Sequence, residues 1–583
     1  MIERSAISHR MFSPDAYAIK EGSFHLRLFA KKGNLKHCYL LFADRACPTT
    51  PLDLTKVEMS KEFSTLYQDI FGYELLNSFS RLDYCFELVD EDEDVYYIGS
   101  EFRSTLSLDH LGDRVIDNRE EFFAYPCSRR DEILALPNWF KRATVYNIFP
   151  DSFASDKRKI MPHSSISYGD KDIPCESRLG GTIKGIDQNL DYISSLGMTC
   201  LYLNPIFVGE SYHKYNTVDY QHIDPNFGSD EDFRRLVEHA HAMGMRVILD
   251  GVFNHCGWNF FAFRDVMEKG KDSPYLNWFY EVKFPLFDQK GKPRYRCFAY
   301  EKSMPKMNTS NPEVQAYFNA IGVRWIRDFG ADGWRLDVCD EINQSFWRSF
   351  RAAVKAVKSD AVLIGEIWGN AESWLRGDLL DSAMDYDFTR DCREYFAFAR
   401  ISAGEFYTRV TQLLTRYPEE AVRGQLNLLD SHDVSRFLSY CHGDRERYHQ
   451  ALAFLYLFPG VPSLFYGDEK LMEGIYENEY RHPMAWADKS VLDRLLAKLI
   501  AIREKIMDDQ AAIHLLPYEE LAGLFGMEYR GEQNLWQIFF NNTDHAIPLP
   551  QDVKASPVER LLGAGDEKGL VAPKGFCVLT RKK

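Results

Sequence analysis

From about residue 140 onward, short apolar runs alternate with amphipathic helical stretches, and no other feature restricts the fold of this chain so strongly. Strands separated by helices pair in parallel, because each helix carries the chain back across the sheet. Leu190, Ile193 and Leu196 share one helical face before Gly197, and 199–203 follows as a strand. Ser229 can cap a helix whose Phe233, Leu236, Val237 and Ala240 recur at helical spacing, with Gly244 ending it before a strand at 246–250. A third unit starts at Asn311 with Pro312 in the first turn, stops at Gly330 and leads into 331–337. With 145–149, 362–366, 382–386, 425–429 and 463–466 the chain offers eight candidate strands, the number that closes a (β/α)8 barrel.

The expected fold class is therefore α/β, a TIM barrel with additions. At 583 residues the chain exceeds what one core holds, and the texture changes at both ends. Residues 1–130 carry period-2 runs at 24–30, 38–43, 84–89 and 95–99, the pattern of a β-sandwich. The barrel is expected over 131–508, with an irregular stretch at about 256–310 read as a subdomain inserted after strand 3. Residues 509–583 return to short strands and read as a C-terminal β-sandwich domain.

A formal charge of −16 argues against nucleic acid, which needs a basic face to neutralise phosphates. The first dozen residues lack an apolar run and no later segment reaches the length of a membrane span, so the expectation is a cytoplasmic protein without membrane contact. The twelve cysteines are scattered singly, which reads as buried free thiols rather than a disulfide or zinc framework.

Side chains at the C-terminal ends of barrel strands converge on one site. Those ends read D-G-V-F-N-H (250–255), G-W-R-L-D-V (333–338), G-E-I-W (365–368) and L-D-S-H-D (429–433). Retaining cleavage of an acetal needs two carboxyl groups close together, one attacking the anomeric carbon and one protonating the leaving oxygen. Asp337 and Glu366 end neighbouring strands and fit those roles. Arg335 stands two residues before Asp337, on the same face, and is expected to keep it ionised. Ile364, Ile367 and Trp368 predict a desolvated Glu366 that begins the cycle protonated. Asp433, with His432 and His255, is assigned to gripping sugar hydroxyls in the transition state.

At these residues the chain resembles glycoside hydrolase family 13, the α-amylase superfamily, over nearly its whole length. The four strand-end motifs match those of that family, and the resemblance implies the same roles. It adds Tyr215 of H-K-Y-N-T-V-D-Y as the ring that stacks on the sugar, with Trp368 also in the substrate-binding set. M-P-K-M-N (304–308) resembles the marker of the neopullulanase, cyclomaltodextrinase and maltogenic amylase subgroup. In that subgroup the N-terminal domain, carbohydrate-binding-module-like, packs over the partner's barrel, so the resemblance implies a homodimer with a narrowed cleft favouring cyclodextrins and short oligosaccharides. By the same similarity Glu477, where the family usually has Asp, and Arg481 hold a sugar towards the non-reducing side.

Two departures from the family concern a metal and the leaving-group side. Relatives bind calcium through an N-G-D-like loop and an Asp after Gly-Gly; here Ser155, Asp156, Lys157 and Arg158 form the loop and Thr182 follows Gly181, so no calcium and no cofactor is expected. Gly369 and Asp340 replace the family's His and Asn. The resulting expectation is a retaining hydrolase of α-1,4 bonds, with α-1,6 bonds as a second class, in cyclodextrins, maltooligosaccharides, pullulan or starch, with transglycosylation. An isomerase or transferase of the same fold, and a non-catalytic amylase-like scaffold, are the alternatives.

Overall fold

The computed structural model describes residues 1–47, 53–106, 109–111, 114–116, 119–130, 133–156, 178–551, 553, 559–563 and 569–583. Eight parallel strands close into a barrel: β1 (Val145–Ile148), β2 (Cys200–Leu203), β3 (Arg246–Gly251), β4 (Gly333–Leu336), β5 (Val362–Gly365), β6 (Ser382–Asp385), β7 (Leu426–Leu428) and β8 (Val461–Phe465). Its interior is a packed core, with Val145, Cys200, Ile248, Val362, Ile364, Met384, Leu426 and Val461 in one buried cluster. β3 pairs with β4 so that Asp250 lies opposite Arg335, and β4 with β5 so that Leu336 lies opposite Gly365. Asp337 and Glu366 are then the first residues beyond the ends of neighbouring strands.

The helices start where local chemistry starts them. In α1 (Asp230–Ala242) the Ser229 side chain accepts from the Asp232 N–H while Asp232 reaches back, a complete capping box, and the four apolar residues read from the sequence are buried. In α2 (Pro312–Arg327) Asn311 accepts from the Glu313 N–H and Pro312 occupies the first turn. Gly330 follows at φ +81°, a conformation that a side chain disfavours. Between β3 and α2, residues 256–310 form one α-helix, Phe261–Lys269, two single-turn 3-10 helices, Gly270–Asp272 and Leu276–Trp278, and isolated bridges.

Chain contacts divide the molecule into two units, the barrel lying within residues 136–399 and 423–509. The other unit joins residues 1–135, 400–422 and 510–583. Within it a four-stranded and a six-stranded antiparallel sheet share a core built on Phe24, Leu26, Leu40, Tyr84 and Phe86. A five-stranded sheet is formed by residues near the C-terminus, with Asn534–Asn541 and Gly575–Lys582 at its centre. The helix Ala403–Thr415 belongs to this strand-rich unit, where Thr408 Oγ1 accepts from the Leu66 N–H at 3.2 Å. All cysteines among the described residues are free, Cys200, Cys339 and Cys577 being buried. No described helix is long and apolar enough to cross a membrane.

Candidate active site

Arg335 is the hub of the barrel mouth. Its guanidinium is completely buried, and a buried cation persists only where anions surround it. Nη1 donates to Asp337 Oδ1 at 2.8 Å and to Asp250 Oδ1 at 3.0 Å. Nη2 lies 2.9 Å from Glu366 Oε1, out of line for a hydrogen bond, and 3.7 Å from Asp433 Oδ2. Four carboxyl groups from four strand ends therefore surround one guanidinium, and Asp337 and Glu366 lie against its two terminal nitrogens.

This sharing corrects the expectation that Arg335 simply keeps Asp337 ionised. Burial, followed by the charge of Glu366, raises the Asp337 carboxyl well above the ordinary carboxylate range, and Arg335 only partly offsets them. At Asp433 burial acts in the same direction, but His432 and the guanidiniums of Arg335 and Arg481 outweigh it and hold the group well below that range. The surroundings of Glu366 also differ from the apolar pocket expected. Ile364 and Ile367 are buried nearby, yet Oε1 accepts from the Trp368 indole N–H at 3.1 Å and Oε2 from the Val338 N–H at 2.9 Å.

The remaining residues read from the sequence join this cluster. His432 Nε2 is 3.0 Å from Asp433 Oδ2, and the His432 ring lies parallel to Tyr215, at 5.6 Å between centroids. His255 bonds the Tyr215 carbonyl through Nε2 at 3.1 Å and stacks on Phe298; burial pushes its imidazole down to about 3, so it is neutral across the working range. Arg481 donates to the His432 carbonyl at 2.8 Å, lies 3.5 Å from Asp433 Oδ1, pairs with Glu477 and reaches the Tyr212 hydroxyl. Trp368 is 53% exposed and stacks on Tyr386, with 3.8 Å between ring centroids. Open space surrounds the position a Cβ would take on Gly369.

Sequence reasoning missed several members. Asp250 was seen only as part of a motif, yet its Oδ2 accepts from the Tyr202 hydroxyl at 2.7 Å and the Tyr215 hydroxyl at 3.0 Å, fixing the stacking ring. Asn204, just past β2, donates to the Tyr202 and Tyr215 hydroxyls. Tyr212 bonds Glu477 and Arg481. The available signal was position, since each follows or ends a strand or flanks Tyr215.

Of the calcium-loop residues, Lys157 and Arg158 lie outside the described residues. Thr182 accepts from the Gly185 N–H and donates to Asp156 Oδ1 at 3.0 Å, so that its hydroxyl caps a helix. Among the described residues no group of three His, Cys, Asp or Glu side chains could hold a metal ion.

Residues 147–511 match the family model described as the alpha amylase catalytic domain, and residues 1–117 the alpha amylase N-terminal ig-like domain. The chain is 36% identical over 569 residues to a cyclomaltodextrinase of Geobacillus thermopakistaniensis, covering 96% of this chain and 95% of that protein. It is 38% identical over 507 residues to neopullulanase 2 of Thermoactinomyces vulgaris, covering 86% and 84%. An intracellular maltogenic amylase of Bacillus subtilis is 37% identical, at 86% and 85% coverage. Among solved structures, a cyclomaltodextrinase superposes with a TM-score of 0.90 at 30% identity over the full length of both chains.

Proposed function

The chain belongs to the α-amylase family and is a glycoside hydrolase acting on α-glucans, and from that premise we propose that Asp337 is the nucleophile, Glu366 the acid and base, and Asp433 the transition-state clamp. The observation that carries these roles is the gathering of the three carboxyl groups around one buried guanidinium, Arg335.

Asp337 Oδ1 is held by Arg335, which leaves Oδ2 to attack the anomeric carbon. As that bond forms, the bond to the departing sugar breaks and its oxygen takes the proton of Glu366, giving a covalent glycosyl ester. Glu366, now ionised, removes a proton from water, whose oxygen attacks the same carbon and releases Asp337. A sugar hydroxyl in place of water gives transglycosylation. Asp433, ionised and tied to His432, together with His255 grips hydroxyls of the ring as it flattens towards an oxocarbenium ion. Tyr215 and Trp368 supply aromatic faces, and Glu477 with Arg481 the polar contacts further along the chain of sugars.

The preferred substrates in this reading are cyclodextrins and short maltooligosaccharides, in keeping with the relatives named cyclomaltodextrinase and maltogenic amylase. A homodimer formed through the N-terminal domain and a cytoplasmic location complete it, the second supported by the relative named intracellular. Sedimentation of the intact chain tests the dimer, and a monomer at micromolar concentration refutes it.

The roles are tested by incubating Glu366→Gln with α-maltosyl fluoride, whose fluoride leaves without a proton, and mapping the adduct by mass spectrometry. A maltosyl ester on the peptide containing Asp337 is expected. An adduct on another residue, or turnover of the fluoride with Asp337→Asn, refutes the assignment.

A further inference from the structure

We propose that Trp368 is a positioning residue that anchors Glu366 Oε1, so that the proton transferred to the leaving oxygen rides on Oε2; the proposal rests on Glu366 being the acid. The two oxygens of this carboxyl have unequal surroundings. Oε1 lies 2.9 Å from the Arg335 cation and accepts the indole N–H of Trp368 at 3.1 Å. A proton on Oε1 would face a buried positive charge and a competing donor. Oε2 accepts one neutral amide N–H, from Val338 at 2.9 Å, and can carry a proton while keeping that bond.

The supports of this arrangement are built locally. Val338 is β-branched and stands at φ +44°, ψ +45°, a left-handed conformation that such residues rarely adopt, in the turn that presents its N–H to Oε2. Trp368 is more than half exposed, so its own burial does not fix it; the parallel stack on Tyr386, at 3.8 Å and 5°, holds the indole edge towards Oε1. The stack and the hydrogen bond supply the orientation. An indole N–H donated to a carboxylate favours the ionised form, and its loss raises the pH at which the acid gives up its proton.

The test uses Trp368→Phe, which keeps an aromatic face over Tyr386 and removes the N–H, and Tyr386→Leu, which leaves Trp368 chemically intact but removes its stack. In both variants the alkaline limb of kcat/KM should move up by roughly half to one pH unit. On maltotriose, which needs proton assistance, kcat should fall about tenfold; on an aryl maltoside with an acidic phenol it should fall less than about twofold. An unmoved limb with equal losses on both substrates overturns the role of Trp368. Glu366→Gln is run beside them. If it keeps the alkaline limb, the assignment of Glu366 itself has failed; if it loses the limb while Trp368→Phe retains it, only the anchoring has failed.

Discussion

Substituting Lys214 by Met strands a buried carboxylate beneath the loop that carries Tyr212 and Tyr215. Lys214 Nζ is 2.7 Å from Asp224 Oδ2, and the two side chains are 1% and 2% exposed. Burial penalises both charges: it keeps the ammonium below the ordinary lysine range, whereas at Asp224 the lysine and amide donors outweigh it and hold the carboxyl below its own. Removing one partner of such a pair costs about 3 to 5 kcal/mol. The lower end applies here, because Asp224 keeps the N–H groups of Gly209 and Asn226 and the Asn226 side chain. For a unit on the order of 350 residues, whose unfolding entropy is about 0.7 kcal/mol per kelvin, a loss of about 3 kcal/mol lowers the midpoint by about 4 °C. Lys214→Met/Asp224→Asn removes the stranded charge and should recover about half of that loss. In the wild type the depressed carboxyl adds stability above its unfolded value, near 3.9, and loses it as pH falls through the folded one. In Lys214→Met the lysine that outweighed burial is gone, so acid relieves the stranded charge by protonating it, and the gap between single and double variants should close in acid. Thermal midpoints at one scan rate, with KM for maltotriose, read both effects. Losses that simply add, or a gap that widens in acid, would refute the reasoning.

Asp337→Asn keeps the shape of the site and removes the attacking oxygen, so kcat should fall by at least about 10⁴ with an unchanged circular dichroism spectrum; near-normal cleavage of cyclodextrin by this variant would discard the nucleophile. Wild-type kcat/KM should trace a bell whose alkaline limb disappears in Glu366→Gln, with unactivated substrates losing most, as a pH series on maltotriose and an aryl maltoside would reveal. Asp433 is held below the ordinary carboxylate range and stays ionised above about pH 4, so Asp433→Asn should cost about 10²- to 10³-fold in kcat/KM while the alkaline limb stays in place; a loss of less than about tenfold would remove it from the transition-state contact.

What the sequence disclosed follows from the range of the forces involved. The barrel strands and the caps at Ser229 and Asn311 are local, set by hydrophobic period and by side chains within three residues, and they were legible. Arg335 and Asp337 were legible as a pair because two residues of a strand share a face. The sharing of Arg335 with Asp250, Glu366 and Asp433 was not, since it depends on register between strands far apart in the chain. Side-chain orientation was hidden for the same reason. Trp368 reads as an apolar neighbour of Glu366, and only the stack on Tyr386 turns its N–H onto the carboxyl. The helix Ala403–Thr415, amphipathic like the barrel helices, gives no local sign that it packs in the strand-rich unit.

The charge balance of the site bears on how it comes to hold a proton at all. One guanidinium is set against Asp250, Asp337, Glu366 and Asp433, and all five groups lie at the mouth of a desolvated barrel. Asp433 has His432 and Arg481 as further partners, and Asp250 has the Tyr202 and Tyr215 hydroxyls. Asp337 and Glu366 are left sharing the remaining cationic charge, and burial together with the charge of Glu366 raises the Asp337 carboxyl. Retaining cleavage requires one proton and one anion in such a pair, which are the parts proposed for Glu366 and Asp337. In the proposed mechanism a glycosidic oxygen takes the proton at Glu366 Oε2, and Asp337 is the free anion opposite the anomeric carbon. On the proposed roles, the excess of acids over bases around Arg335 lets one carboxyl group of the pair be neutral while the other is ionised, which a site with matched charges would not favour.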